Sequence, residues 1–319
     1  MLSRVADSLY WMSRYLERAE HVSRLLAVRL DTATEQREQQ AVRSWRRFAA
    51  SLWQPVPDAL TLSPFAIADS MTRGAGSRVS ILHYISGARD NARQVREQIS
   101  AEMWERLNLL YLSLRSVEFS TVWRNAPADF YNRVVNDLYL FHGITDSTLR
   151  HGEGWHFIQL GRYIERAQLL ARLLNVHFGA MPSGVPSDLE ECDHIEWFAL
   201  LRACSGFEAY CKVQTADVRS EAIAEFLTFD PLFPRSLRFA VDGIASEVAL
   251  IGRGPEEKRD KSLARLTGRL KAKLDYGQVD EVLAPGARYL EEVHEACLAI
   301  HHAVYETYID YGVDAVVAA

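Results

Sequence analysis

The chain has 319 residues, 48% hydrophobic and 24% charged, the balance of a folded globular protein and not of a disordered or fibrous one. That length suits two domains or one large domain built by duplication. A net charge of -6 argues against a nucleic-acid partner, although most of the 36 Lys and Arg are Arg, the residue suited to buried pairs and to bidentate carboxylate or phosphate recognition.

No apolar run reaches the roughly 18 residues that span a bilayer, so no membrane association is expected. The N-terminal stretch carries Asp7, Glu17 and Glu20 within a helical pattern, unlike a secretory or transit peptide. Cys192, Cys204, Cys211 and Cys297 lack Cys-x-x-Cys spacing, which points to neither zinc nor disulfides and to a reduced, cytoplasmic protein.

Helical periodicity dominates, with no strand-like alternation between hairpin turns. A first helix is predicted over residues 3–35, with Leu9, Met12, Leu16, Ala19, Ser23 and Leu26 on one stripe. Residues 55–64 break the chain, and a long helix follows over 79–115. Its apolar stripe is Ile85, Ala88, Ala92, Val95 and Ile99, with Arg89, Arg93 and Arg96 on an adjoining face. A second break falls at 125–131, and another helix at 154–178. Residues 179–188 read as a loop ending in a capping box, Ser187 with Glu190. Residues 252–261 form a further loop, and a last helix covers 286–312.

Two segments repeat. "YLERAEHVSRLL" from Tyr15 returns as "YIERAQLLARLL" from Tyr163, so that Arg14, Glu17, Arg18 and Arg24 recur 148 residues later as Arg162, Glu165, Arg166 and Arg172. "AIADSMTRGAGSRVSI" from Ala66 aligns without a gap on "AIAEFLTFDPLFPRSL" from Ala222, at an offset of 156. The expectation is an all-α protein, a duplicated helical bundle whose halves, about 1–130 and about 150–280, pack as one unit about a pseudo-two-fold axis. Residues 286–319 add the C-terminal helix.

On a helix Arg18 falls in the column of Trp11, Tyr15, Val22 and Leu25, and Arg166 in that of Tyr163, Leu170 and Leu173. A charge in an apolar column requires a partner, because an unpaired buried charge costs several kcal/mol. Two arrangements satisfy it. In one, the repeated helices face each other and Arg18 pairs with Glu165 while Arg166 pairs with Glu17. In the other, Arg14, Arg18, Arg162 and Arg166 line a cleft and hold a phosphate or carboxylate, joined by Arg89, Asn91, Arg93 and Arg96 as further donors. Glu17 and Glu165 are then candidate general acid or base groups.

Glu191-x-x-His194 and Glu291-x-x-His294, with Glu17 and Glu165, resemble the inventory of a di-metal carboxylate bundle. Chance supplies such spacings at these His and Glu frequencies, and the flanking arginines oppose a dication, so neither a metal nor another cofactor is expected. No phosphate-binding glycine loop is present. Ser236 reads as a helix N-cap, and the pair His301 and His302 as satisfied or solvent-facing.

"LSRVADSLYWMSRYLERAE", "ARDNARQVREQISAEMWERLN", "LGRYIERA" and "FLTFDPLFPRSL" together resemble the bacterial alpha-E family, over nearly the whole chain. Where that family carries an Asp and an Asn-Pro-x-Ser-Ile turn in its first half, this chain has Gly74 and "SRVSI" from Ser77. The second-half copy, with Asp230, Pro234 and Ser236, is intact. The resemblance implies an all-helical, cytoplasmic protein of a system that makes or trims amide-linked peptides. Its implied partners are a circularly permuted ATP-grasp protein and a transglutaminase-like peptidase. Three roles stay open: accessory to the ligase, enzyme acting on amides through Glu17 or Glu165, or structural protein.

Overall fold

A computed structural model describes residues 2–33, 36–55, 58, 62–74, 79–178, 194–214, 218–252 and 261–309. Every regular element among them is helical. In chain order these are α1 (Ser3–Thr32), α2 (Glu38–Ser51), α3 (Pro64–Thr72), α4 (Ile81–Gln94), α5 (Ala101–Arg115), α6 (Phe119–Asn125), α7 (Pro127–Thr148) and α8 (Glu153–Phe178). They continue as α9 (His194–Ala203), α10 (Phe207–Val213), α11 (Ser220–Phe229), α12 (Leu237–Ile251), α13 (Lys261–Tyr276), α14 (Val279–Leu283) and α15 (Tyr289–Val304). A π-helical turn, Tyr305–Ile309, extends α15.

The helices start where the sequence offers caps. Ser63, Ser80, Ser100 and Ser236 each accept a backbone N–H from three residues ahead, and Pro64 and Pro127 occupy first turns where a missing N–H costs nothing. Ser236 is therefore the cap its sequence suggests. The helix expected over 79–115 is two helices. Its apolar stripe is buried as expected, from Ile85 to Ile99, but the chain turns at Val95–Ile99 and restarts at the Ser100 cap with Glu102 in the first turn. The break expected at 125–131 shrinks to Ala126, because Pro127 initiates α7 at once. The loop with Ser187 and Glu190, and residues 253–260 of the next loop, lie outside the described residues.

α1 and α8 cross at the centre. The crossing is close because Gly161 faces α1 backbone: a Cβ there would lie 2.5 Å from the Tyr10 carbonyl oxygen. A mid-helix glycine costs about 1 kcal/mol of helix propensity, and here it lets two backbones meet. Around this pair, α4 packs on α1 and α12 on α8; α5 packs on α4 and α13 on α12; α7 packs on α1 and α15 on α8. α2 reaches across to α8 and α9 to α1. One apolar core runs through all of these, from Leu9 and Met12 to Ile244, Cys297 and Ile300.

Candidate functional site

The repeated glutamates face each other's arginines across the α1–α8 crossing. Arg166 grips Glu17 with two parallel bonds, Nε to Oε1 at 2.8 Å and Nη2 to Oε2 at 2.9 Å. Arg18 grips Glu165, Nε to Oε1 at 2.6 Å and Nη2 to Oε2 at 3.2 Å. Both reciprocal pairs form, and the fork-to-fork geometry is the strong form of a charge-assisted hydrogen bond. Arg24 and Arg172 are reciprocal too. Arg24 donates to the Ala203 carbonyl at 3.0 Å, and Arg172 to that of Ala50 at 2.7 and 2.9 Å.

The two ends of the crossing then diverge. Around Glu17, which is 1% exposed, lie Arg162 at 3.9 Å and Arg235 at 3.7 Å. Arg235 also bonds Glu20, one turn on, and Arg24 and His142 stand 3.5 and 3.3 Å from that second carboxylate. Burial alone would raise the Glu17 carboxyl, but Arg166 and Arg235 outweigh it and hold it down to about 2. Glu20, equally enclosed, is held well below the ordinary range by Arg235 with His142 and Arg24. Burial and Arg24 push His21 down to about 3, so it stays neutral. The space left among Glu17, His21, Arg24, Arg166, Cys204 and Arg235 is about 10 Å³, at most one water. This end is sealed.

Around Glu165 the space is open. A cavity of about 510 Å³, the size of a small-ligand pocket, is lined by Arg14, Arg18, Glu165, Gln168, His294 and His301 on its polar side. Trp11, Trp53, Val79 and Tyr84 form its apolar walls. Arg14, 2% exposed, gives all three nitrogens to the protein: Nε to Glu165 at 2.5 Å, Nη1 to the Tyr10 hydroxyl at 3.2 Å and Nη2 to Gln168 Oε1 at 2.8 Å. Arg18 is 27% exposed and lies over the rings of Trp11, Tyr15 and Tyr84, so its apolar column serves as a cation–π cradle. Its Nη1 makes no hydrogen bond among the described residues. The same is true of Gln168 Nε2, a buried donor whose amide is oriented by Arg14. Burial would raise the Glu165 carboxyl, and Arg14 and Arg18 reverse that and keep it ionised.

Three substitutions between the repeats account for the difference. Arg235, which plugs the sealed end, aligns with Val79. Glu20 aligns with Gln168. The left-handed residue that ends α9 is Ser205 (φ +51°), while the one that ends α2 is Trp53 (φ +53°), a conformation uncommon for a bulky side chain. Ser80 still caps α4 as Ser236 caps α12, so the first half keeps this helix start, while Gly74 stands where Asp230 accepts from Leu232 and Phe233, and Val79 where Arg235 stands.

The remaining predicted donors go elsewhere. Arg89 bonds Asn108 at 2.8 Å and stacks over Trp104 and Tyr111, and Arg96 also lies over Trp104. Asn91 donates to the Gly87 carbonyl of its own helix, and Arg93 is an exposed partner of Asp90. None of the four lines the cleft. Arg162 and Arg166 belong to the sealed end, leaving Arg14 and Arg18 for the open one. His294 lines the cleft, but Glu291 pairs with Arg288 on an exposed face, and Glu191 lies outside the described residues.

Glu17, Glu20 and His142 place ligand atoms within 4.8 Å of one another. Four guanidinium groups already surround those carboxylates, and a dication does not fit that field. Tyr10, Gln168, Glu20, Arg235 and His142 have no site role in the sequence reading; His301, expected to be satisfied or solvent-facing, bonds Tyr10 at 2.8 Å and lines the cleft. A second apolar cavity of about 380 Å³, between α12 and α13, presents no convergent charged groups.

Two long helices that exchange Glu-Arg pairs, inside an all-helical shell, define a class: a helical domain organised around a doubled Glu-Arg motif. The chain belongs to the Alpha-E family, described as a predicted alpha-helical domain with a conserved ER motif, which it matches over residues 1–309. It is 25% identical to an uncharacterized protein of Mycobacterium bovis and to two of Mycobacterium tuberculosis, over 93% of this chain. The chain spans 35% of the length of these relatives, about a third. No solved structure matches it. No helix among the described residues is long and apolar enough to cross a membrane.

Proposed function

We propose that this chain is a binding module that takes an anionic, oxygen-rich group, a carboxylate or phosphate, into the cleft beside Glu165. In this reading it serves an ATP-grasp amide ligase as accessory or substrate-presenting partner, in the cytoplasm. The observation that carries it is the contrast between the two ends: the same Glu-Arg pair is plugged by Arg235 at one and faces 510 Å³ of open space at the other. Two arginines against one carboxylate leave the cleft with one excess positive charge, and Arg18 and Gln168 keep unused donors. A carboxylate is what an amide ligase must activate, which makes a carboxylate-bearing peptide the fitting ligand. The free thiols of Cys204, Cys211 and Cys297 support a reducing compartment.

The pseudo-two-fold duplication belongs to the same reading. It is supported by the reciprocal ion pairs, by the matching caps at Ser80 and Ser236, and by Gly87 against Tyr15 and Gly243 against Tyr163. The sealed Glu17 end fills the packing role. An acid or base role for Glu17 or Glu165 is the weaker reading, since arginines hold both carboxylates ionised and occupied.

Thermal melts with acetate, phosphate and a glutamate-containing dipeptide test the cleft. Stabilisation that vanishes in Arg18→Met is expected; equal stabilisation of both proteins would place the anion elsewhere. Phosphate release by the ATP-grasp protein, measured with ATP and amino acids, should rise when this chain is added. An unchanged rate would remove the accessory role.

A further inference from the structure

We infer that His301 is a fixed neutral hydrogen-bond donor to the anion in the cleft, its tautomer set by the buried hydroxyl of Tyr10. This rests on the binding role of the cleft proposed above. Tyr10 is fully buried, and its oxygen has two neighbours: Arg14 Nη1 at 3.2 Å and His301 Nδ1 at 2.8 Å. A guanidinium only donates, so the hydroxyl accepts from Arg14 and its own proton has one destination, His301 Nδ1. That nitrogen must therefore be bare. A proton on it would set two donors against one another and leave the Tyr10 proton without an acceptor in the core, a costly loss. The ring's single proton then sits on Nε2, and the imidazole carries no charge.

The surroundings agree. α1 brings Arg14 and Arg18 to the ring, α15 adds His302, Tyr305 packs its ring nearby, and Glu165 of α8 opposes the positive groups. Burial, then Arg14 and His302, push His301 down to about 3. Tyr10 itself is pushed up to about 12 by burial, so its hydroxyl keeps its proton. His301 Nε2 has no partner among the described residues and is not enclosed, and His301 lines the cleft. Together with Arg18 Nη1 it makes two unused donors on the cleft, while Gln168 Nε2 is an enclosed one. Such a set suits an acceptor-only group, a carboxylate or a phosphate, and disfavours an amine. Because no proton has to arrive first, acetate binding should not depend on pH between about 6 and 8, where an ordinary histidine would titrate and the carboxylate itself stays ionised.

Histidine-selective 15N spectra of the whole chain test this, the signal being assigned by its loss in His301→Gln. The expected result is an Nε2–H tautomer that does not titrate between about pH 5 and 8. Acetate or phosphate should shift the Nε2 signal in the parent and not in Arg18→Met. Tyr10→Phe should release the tautomer, so that an Nδ1–H form appears beside the Nε2–H form, while burial, Arg14 and His302 still keep the ring neutral. If that variant does not fold, the tautomer seen in the parent still decides the first point. A titrating His301, or an Nδ1–H signal in the parent, overturns the inference. Anions that raise the melting temperature without moving His301 overturn it and leave the cleft standing. Anions that raise nothing take the cleft with it.

Discussion

The two ends of the α1–α8 crossing begin from the same Glu-Arg pair and finish as different objects. At the Glu17 end, Glu20 and Arg235 complete a closed lattice of two carboxylates and four guanidinium groups, with room for one water at most. At the Glu165 end a neutral Gln168 replaces the second carboxylate and Val79 replaces the plug. One copy of a motif can thus serve the fold while its twin remains available. The pair alone does not decide which; its neighbours do.

The sharpest break of this comparison is Arg166→Met against Arg18→Met. Removing Arg166 takes both short bonds from Glu17 in a sealed site, leaving only Arg162 at 3.9 Å and Arg235 at 3.7 Å, and should cost about 3–5 kcal/mol in denaturant unfolding. Removing Arg18 leaves Glu165 held by Arg14 in an accessible cleft, and should cost about 1 kcal/mol or less. Equal costs would show that the two ends are energetically alike.

Acid tests the sealed end next. The folded pKa of Glu17, about 2, lies below its ordinary 4.5, so the unfolded chain binds the proton more readily and stability rises with pH. The contribution is in full force above about 4.5, fades as pH falls through about 2, and amounts to roughly 3 kcal/mol. Glu17→Gln should flatten the stability profile over that window, and an unchanged profile would assign acid sensitivity to other groups. Glu165→Gln should flatten it less.

These pairs were legible in the sequence because the repeat preserved them: eight positions around Tyr15 and Tyr163 return at one offset, and charges in an apolar column need each other. What the repeat does not preserve was hidden. Glu20 and Arg235 stand where the other copy has Gln168 and Val79, so no echo marks them. The buried cluster of Arg29 and Arg47 on Glu196 joins α1, α2 and α9 through positions with no periodic signature. Arg89 and Arg96 read as spare donors because their aromatic partners, Trp104 and Tyr111, lie beyond the turn at Val95–Ile99. A continuous helix would have carried those rings away. The Ser100 cap was the available signal for that turn.

Gly161→Ala probes what both ends share. Its Cβ would meet a backbone oxygen, which cannot swing aside, so α1 and α8 must part, at about 2 kcal/mol. Circular dichroism melts would register this, and a melting point equal to the parent's would mean the crossing is looser than described. The smallest expected change in stability belongs to Val79→Arg, which supplies the missing plug to the open end. Its melt should shift by less than about 0.5 kcal/mol equivalent. Its stabilisation by phosphate should disappear; retained stabilisation would show that the plug does not explain the difference.

The close crossing at Gly161 has a mechanical consequence. α1 is a rod of 30 residues, about 45 Å long, pinned roughly a quarter of the way along. A rod pinned at one point swings, but this one is riveted again at Arg14, Glu17, Arg24 and Arg29, the last about 28 Å from the pin. Rotation would have to break these rivets together. The inner wall of the cleft is therefore stiff masonry, and a ligand meets a space already cut to shape; what adjustment it needs must come from the rim, where Trp53 stands.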